Sequence, residues 1–328
     1  MRQILDSLTR KASGHSLKSK PLNLHSGELV EVRSEREIRR TLDGKGEFEG
    51  LQFSPEMAKY CGERFRVFRR ADKLIIEGIG MRRMKNTVIL AGVLCDGLAH
   101  RGCKKTCLLL WKETWLRTVP SARESVLKSG DEKLSTGHDS WTESKSSECQ
   151  ASSLKETASA LPFWDIRQYK WDIESGAFGP FERLQVLLVS ISNGFRKLLR
   201  SEVIMRDQGH LRRTPTLALN LQPGEYVYVR SREEIMRTLD TRNRNRGLGF
   251  TQEMSKYCGG RYKVLKRVDV IKDEKTGDIR QIVNTVLLDG VTCDGKAHGG
   301  CPRNCFCLWR EIWLRRATDV IERDGCAN

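Results

Sequence analysis

The chain has 328 residues, 38% of them hydrophobic, and 58 Lys and Arg against 42 Asp and Glu leave a formal net charge of +16. That length suits two ordinary domains plus a connector, and the apolar content permits real cores. Eleven cysteines fit a disulfide scaffold only in a small secreted protein. The opening MRQILDSLTRKASGHSLKSK has no apolar stretch of the signal-peptide kind, no segment reaches the roughly 20 apolar residues of a membrane span, and an odd count leaves one thiol over. Reduced, metal-binding cysteines in a cytoplasmic protein are therefore expected. The positive charge favours an anionic partner, whether nucleic acid, an acidic protein or acidic lipid headgroups; a merely solvated surface accounts for the same excess.

A basic tail over 1–20 precedes the strongest feature, an internal duplication of 21–119 in 218–317. GELVEVRSEREIRRTLD from Gly27 returns as GEYVYVRSREEIMRTLD from Gly224. GLQFSPEMAKYCGERFRVFRR from Gly50 returns as GLGFTQEMSKYCGGRYKVLKR from Gly247, and NTVILAGVLCDG as NTVLLDGVTCDG. The offset is 197 residues at the start and 198 after the Asn86/Asn284 region, which places one inserted residue in the turn around Lys275–Gly277.

Within each copy, the alternating Gly-Glu-x-Val-x-Val-Arg predicts a strand. Ser34-x-x-Glu37 and Ser231-x-x-Glu234 are capping boxes opening short helices. Ser54 and Thr251 open a second pair of helices, which Gly62 and Gly259 end. FRVFRR or YKVLKR is the next strand, a hairpin follows, and NTVIL or NTVLL returns. A closing helix is predicted to carry Trp111 and Trp115, or Trp309 and Trp313, on one face. The expected fold is mostly β, α+β in class: two tandem SH3-like half-open barrels with short helices. An irregular α+β sheet is the competitor.

Between the copies, 120–160 is rich in Ser, Lys and Glu, a composition that cannot bury enough surface to offset ordering entropy, so a flexible linker is expected. Residues 161–200 form an amphipathic helical connector, in which Leu184, Leu187, Leu188, Ile191, Phe195 and Leu198 fall on one helical face. Packing of that stripe on the chain's own domains is the expectation; insertion of 184–199 into a membrane surface is the alternative.

Each copy offers five soft donors: Cys61, Cys95, His100, Cys103 and Cys107, then Cys258, Cys293, His298, Cys301 and Cys305. Structural zinc wants four sulfur or nitrogen donors in a tetrahedron. The turn made by Asp-Gly in CDGxAHxGC folds the first Cys, the His and the next Cys toward one point. The preferred set is Cys61, Cys95, His100 and Cys103, with Cys107 interchangeable, giving one zinc per repeat. Buried free thiols beside a surface histidine are the plainer reading. The spacing Cys-x4-His-x2-Cys-x3-Cys also admits iron or an iron–sulfur cluster. CDGxAH is similar to the loop of CDGSH-type iron–sulfur proteins, though one residue longer and without the upstream Cys-x-Cys pair.

Arg64, Arg66, Arg69 and Arg70, with Arg261, Lys263, Lys266 and Arg267, alternate with aromatic and apolar residues. They predict a basic strand face suited to phosphate contact, or simply to solvent. Glu113 and Glu311 suit either a general base beside an open metal or a carboxylate paired with an arginine. No nucleotide-binding glycine loop, nucleophile elbow or zinc-protease helix occurs.

The ordered motifs GExVxVRSxxEIxxTLD, MxKYCGxxFRV, NTVxLxGxxCDGxAHxGC and WKExWL, with FWDxRQY between the copies, resemble an uncharacterised bacterial family of tandem-repeat proteins. The resemblance covers most of 20–317 and implies a metal-bearing, barrel-like fold for each copy, but no reaction. Cys149-Gln-Ala also fits its pattern. The expected function is a non-enzymatic, metal-stabilised binding or scaffold protein for an anionic macromolecule or partner protein. The alternatives are a metal-dependent enzyme or biosynthetic accessory, and a peripheral membrane adaptor.

Overall fold

The structure, a computed structural model, describes residues 21–76, 79–120, 149–162, 164–174, 179–198 and 208–318. The expected basic tail and residues 121–148 of the expected linker lie outside the described residues.

Repeat 1 contains β1 (Leu29–Val32), α1 (Glu35–Arg39), β2 (Glu47–Phe48), β3 (Leu51–Gln52), β4 (Arg64–Arg70), β5 (Lys73–Ile76), β6 (Gly80–Arg83), β7 (Thr87–Leu94), β8 (Leu108–Lys112) and β9 (Leu116–Thr118). The connector supplies α2 (Gln150–Thr157), β10 (Ser159–Ala160), α3 (Arg167–Glu174) and α4 (Pro180–Leu198). Repeat 2 contains β11 (Tyr226–Val229), α5 (Arg232–Met236), β12 (Arg244–Asn245), β13 (Leu248–Gly249), β14 (Arg261–Arg267), β15 (Val270–Lys272), β16 (Ile279–Gln281), β17 (Thr285–Thr292), β18 (Phe306–Arg310) and β19 (Leu314–Arg316).

Each repeat is a five-stranded antiparallel half-barrel. The order is β8-β7-β4-β1-β9 in the first and β18-β17-β14-β11-β19 in the second, so the two small barrel-like domains expected from the duplication are present. A register shift breaks β4 between Val67 and Arg69, and another breaks β14 between Val264 and Lys266. Such bulges add the bend that lets a short sheet curl on itself. Val30, Val67, Val88, Leu90 and both tryptophans fill the first core, and Val227, Val264, Val286, Leu288 and their tryptophans fill the second. Both capping boxes form, with Ser34 and Ser231 accepting from Glu37 and Glu234 backbone N–H groups.

Three expectations need correction. Pro55–Tyr60 and Gln252–Tyr257 are 3-10 rather than α-helices. They still end where Gly62 and Gly259 turn left-handed. The predicted closing helix is instead a strand, a one-turn 3-10 element and another strand: β8, Glu113–Trp115 and β9. Trp111 and Trp115 are nevertheless both fully buried and meet edge-on at 6.5 Å. Residues 149–160, placed in the flexible linker, fold as α2 and β10. Gln150 reaches the exposed edge of β8: its Oε1 accepts from Leu110 N–H at 3.0 Å and its Nε2 donates to Gln52 O at 2.8 Å. Leu154 is buried in the first core. An edge strand needs such a cover, and a polar residue can supply it where composition predicts no order.

The two repeats grip each other reciprocally. Ile75 N–H of β5 donates to the Cys301 sulfur at 3.4 Å, and Lys272 N–H of β15 donates to the Cys103 sulfur at 3.3 Å. These are equivalent positions in the two copies. Glu274 sits between Lys105 at 2.8 Å and Arg303 at 2.9 Å. Lys73 of β5 makes a buried 2.6 Å pair with Asp172 of α3.

The connector stripe behaves differently from expectation. Val186 of α4 is buried, while Leu184 and Leu188 remain 52% and 58% exposed and Ile191 is also exposed. The side chains of Phe195 and Leu198 lie outside the described residues. Among the described residues no helix is long and apolar enough to cross a membrane.

Candidate metal centres

The two CDGxAHxGC loops leave β7 and β17 and return to β8 and β18, closed by Cys95 N–H to Cys107 O and Cys293 N–H to Cys305 O, both 2.8 Å. Gly97 and Gly295 are left-handed at φ +78° and +77°, and a Cβ on either would collide with the carbonyl of Cys103 or Cys301. Only glycine fits there. Asp96 and Asp294 serve the turn, accepting from Leu98 N–H and Lys296 N–H at 3.0 Å.

This loop puts the histidine and its first cysteine beside a carboxylate from the preceding 3-10 helix. In repeat 1, Glu56, Cys95 and His100 offer ligand atoms all within 4.8 Å of one another, and in repeat 2 Glu253, Cys293 and His298 do the same. His100 Nε2 lies 3.0 Å from Glu56 Oε1, and Asp96 N–H donates to Glu56 Oε2 at 3.1 Å. In repeat 2, Glu253 bridges Cys293 Sγ at 3.1 Å and His298 Nε2 at 2.9 Å.

Among the described residues no other group gathers three such donors. The preferred four-donor set is therefore not assembled. Cys61 ends its 3-10 helix five residues after Glu56, about two-thirds of a turn around at three residues per turn. It faces away, in the field of Glu35 and Arg39, and burial pushes its thiol up to about 11. Cys258 likewise senses Glu233 and Arg232. Cys103 and Cys301 accept inter-repeat N–H bonds instead. Cys107 and Cys305 lie at the repeat boundary near Arg303.

The electrostatics argue against a cysteine nucleophile. Burial, then the neighbouring Glu56 or Glu253 carboxylate, drives the Cys95 and Cys293 thiols far upward. A reactive thiolate needs a neighbouring positive charge instead. The carboxylate sits between thiol and imidazole, so the imidazole is not poised to take the thiol proton. A bound cation changes the balance: thiolate, carboxylate and neutral imidazole are all good donors to a borderline divalent metal. His100 is 2% exposed; its Nε2 faces Glu56 at 3.0 Å, and its Nδ1 is buried without a hydrogen-bond partner.

Glu56 and Glu253 escape sequence reasoning because an acidic residue in a first turn reads as a helix-start preference. The available signal was their recurrence, two residues beyond Ser54 and Thr251, in both copies. Glu113 and Glu311 resolve as structural. Glu113 accepts from Asn23 and Leu24 N–H groups and pairs with Arg70 at 2.7 Å. Glu311 accepts from Leu219, Asn220 and Leu221 and pairs with Arg267 at 2.9 Å. Each fastens the entering segment of its repeat to the sheet.

The predicted basic faces are largely engaged within the molecule. Arg64 pairs with Glu31, Arg66 donates to Gly27 O, and Arg69 stacks on Phe68 at 4.9 Å. Arg261 lies over Tyr226 at 4.1 Å, Lys263 is exposed and Lys266 is half-buried. No protein-family profile, curated protein or solved structure gives a significant match to the chain.

Proposed function

We propose that the protein is a non-enzymatic binding module whose two half-barrels are each pinned by one divalent ion, zinc by donor chemistry. The observation that carries this is the recurrence of a Glu–Cys–His group in both copies, each drawn within 4.8 Å. Thiolate plus imidazole selects zinc over the hard, all-oxygen ions. Purified protein is expected to be colourless and to contain two zinc ions per chain, read by elemental analysis. Iron, or less than one ion per chain, overturns the assignment.

An anionic partner is supported by a cleft of about 480 Å³ between repeat 1 and α3. Arg83, Lys85, His25 and Trp171 line it, while its Arg70 is already paired with Asp72 at 2.6 Å and with Glu113. Arg83 stacks on Trp171 at 4.9 Å, and its Nε is buried without a hydrogen-bond partner. A cation stacked on an aromatic ring is a phosphate-and-base arrangement. Binding of a single-stranded oligonucleotide should weaken steeply with salt and be lost in Arg83→Ala.

A membrane-surface reading rests on the uncovered Phe181, Leu184, Leu188 and Ile191 stripe of α4. Co-sedimentation with anionic vesicles that is abolished by Leu184→Glu/Leu188→Glu would support it. Sedimentation unaffected by that change removes it.

A further inference from the structure

The turn at 240–246 of repeat 2 keeps the backbone of its counterpart, 43–49 of repeat 1, and reverses its charge. Lys45, Glu47 and Glu49 stand where repeat 2 has Arg242, Arg244 and Arg246. In both copies the leading aspartate accepts two N–H groups of the turn, at 2.8 and 3.0 Å. Its own N–H is also bound, Asp43 to Glu47 O at 2.8 Å and Asp240 to Arg244 O at 2.9 Å. A turn that accepts glutamate at two of these positions does not need arginine there for its shape.

The three arginines are exposed, while Asn243 and Asn245 between them are buried. Asn243 Oδ1 accepts from Gly209 N–H, and Asn245 Nδ2 donates to Pro215 O and Thr238 O, all at 3.0 Å. With Arg246 N–H donating to Thr214 Oγ1 at 2.9 Å, these bonds lay the segment 209–215 along the turn. That segment adds Arg212 and Arg213, both exposed. Asp240 is the one acid in either stretch. Among the described residues none of the five guanidiniums makes an ion pair. Repeat 1 closes the same place: Glu49 pairs with Lys112 at 2.9 Å, and Thr157 of α2 donates to Gly50 O at 2.6 Å. In repeat 2 Arg310 replaces Lys112 and donates to the carbonyls of Val283, Asn245 and Arg246.

Like charges held on one hydrogen-bonded surface repel one another, and a polyanion relieves that repulsion. Guanidinium forks match phosphate oxygens. Among the described residues no large apolar side chain of 208–216 or 240–247 is exposed, so nothing there enters a bilayer or anchors a protein interface. Neither stretch has a Phe, Tyr or Trp on which to stack an unpaired base. Backbone contact with a double helix remains, since its phosphates are dense and its bases are already paired.

We propose that Arg212, Arg213, Arg242, Arg244 and Arg246 form a sequence-independent docking surface for the phosphate backbone of duplex nucleic acid. The surface needs neither the ions nor the Trp171 cleft.

The test is fluorescence anisotropy of the full chain with a labelled DNA duplex of about 20 base pairs, titrated across roughly 50–200 mM salt. Arg242→Gln/Arg244→Gln/Arg246→Gln should weaken binding at least about tenfold and lower the slope of log Kd against log salt by about three, one per lost phosphate contact. Arg212→Gln/Arg213→Gln should lower it by about two, an independent reading if the triple variant unfolds. Arg36→Gln/Arg40→Gln/Lys45→Gln removes equal charge from exposed positions of repeat 1 and should change affinity by less than about twofold. Equal weakening by that control, or parental binding by both arginine variants, overturns the proposal. So does failure of the parent to bind the duplex, whether or not it binds phosphatidylserine vesicles or polyglutamate instead.

Discussion

The Glu56 and Glu253 sites share their residue types, their loop and their turn glycine, yet one is enclosed and the other half-open. The covers make the difference. Repeat 1 receives α2 along β8, with Gln150 satisfying the strand edge and Leu154 entering the core. Repeat 2 receives α4, which touches the loop through Val186 and a Glu182–Lys296 pair at 2.7 Å. Duplicated donor groups therefore do not sit in duplicated surroundings. The connector, which is not repeated, decides how much solvent each site sees.

The most drastic way to separate the sites is to break one loop at a time. Gly97→Ala should remove the repeat 1 ion and leave the other, and Gly295→Ala the converse, with metal content falling from two to one in each. Next in size is the pair beneath the connector. Asp172→Ala strands a buried Lys73, and about 3–5 kcal/mol should be lost in thermal or denaturant unfolding. The same change has no counterpart in repeat 2.

Acid probes the shared interface. Burial alone would raise Glu274, but the Arg303 and Lys105 charges outweigh it and hold the carboxyl at about 2. A depressed carboxylate stabilises above its unfolded value, near 4.5. That contribution, roughly 3 kcal/mol at full ionisation, should disappear as pH falls from about 4.5 to about 2. Glu274→Gln should lose it at neutral pH and flatten that part of the acid titration, monitored by unfolding midpoint against pH. The smallest effect concerns the cover itself: Gln150→Ala leaves Leu110 N–H and O without their partner and should cost about 1–3 kcal/mol. It should also speed chelator extraction from site 1 toward the rate at site 2.

Much of this architecture was legible before any coordinates. Repetition located both barrels, and Ser34, Ser231, Gly62 and Gly259 marked their element ends because caps are local chemistry. The Trp111 segment was misread because CLLLW is a continuous apolar run, and such a run does not distinguish a buried strand from a buried helix. The site was half legible. Cys95 and His100 announce themselves by loop spacing, whereas Glu56 arrives from another element and Cys61 is turned away by 3-10 geometry. Nothing local reveals that Gln150 completes a sheet edge forty residues distant.

The exchanged hydrogen bonds from Ile75 to Cys301 and from Lys272 to Cys103 also bear on ancestry. A contact in which the hairpin of one copy holds the loop of the other, and the reverse, is the isologous geometry of a twofold dimer. A lone ancestral half would have met its partner only by diffusion. Fusion into one chain makes that encounter intramolecular, at an effective concentration set by the connector. It also frees each half to drift, as Pro302 has where Lys104 donates its N–H to Val270.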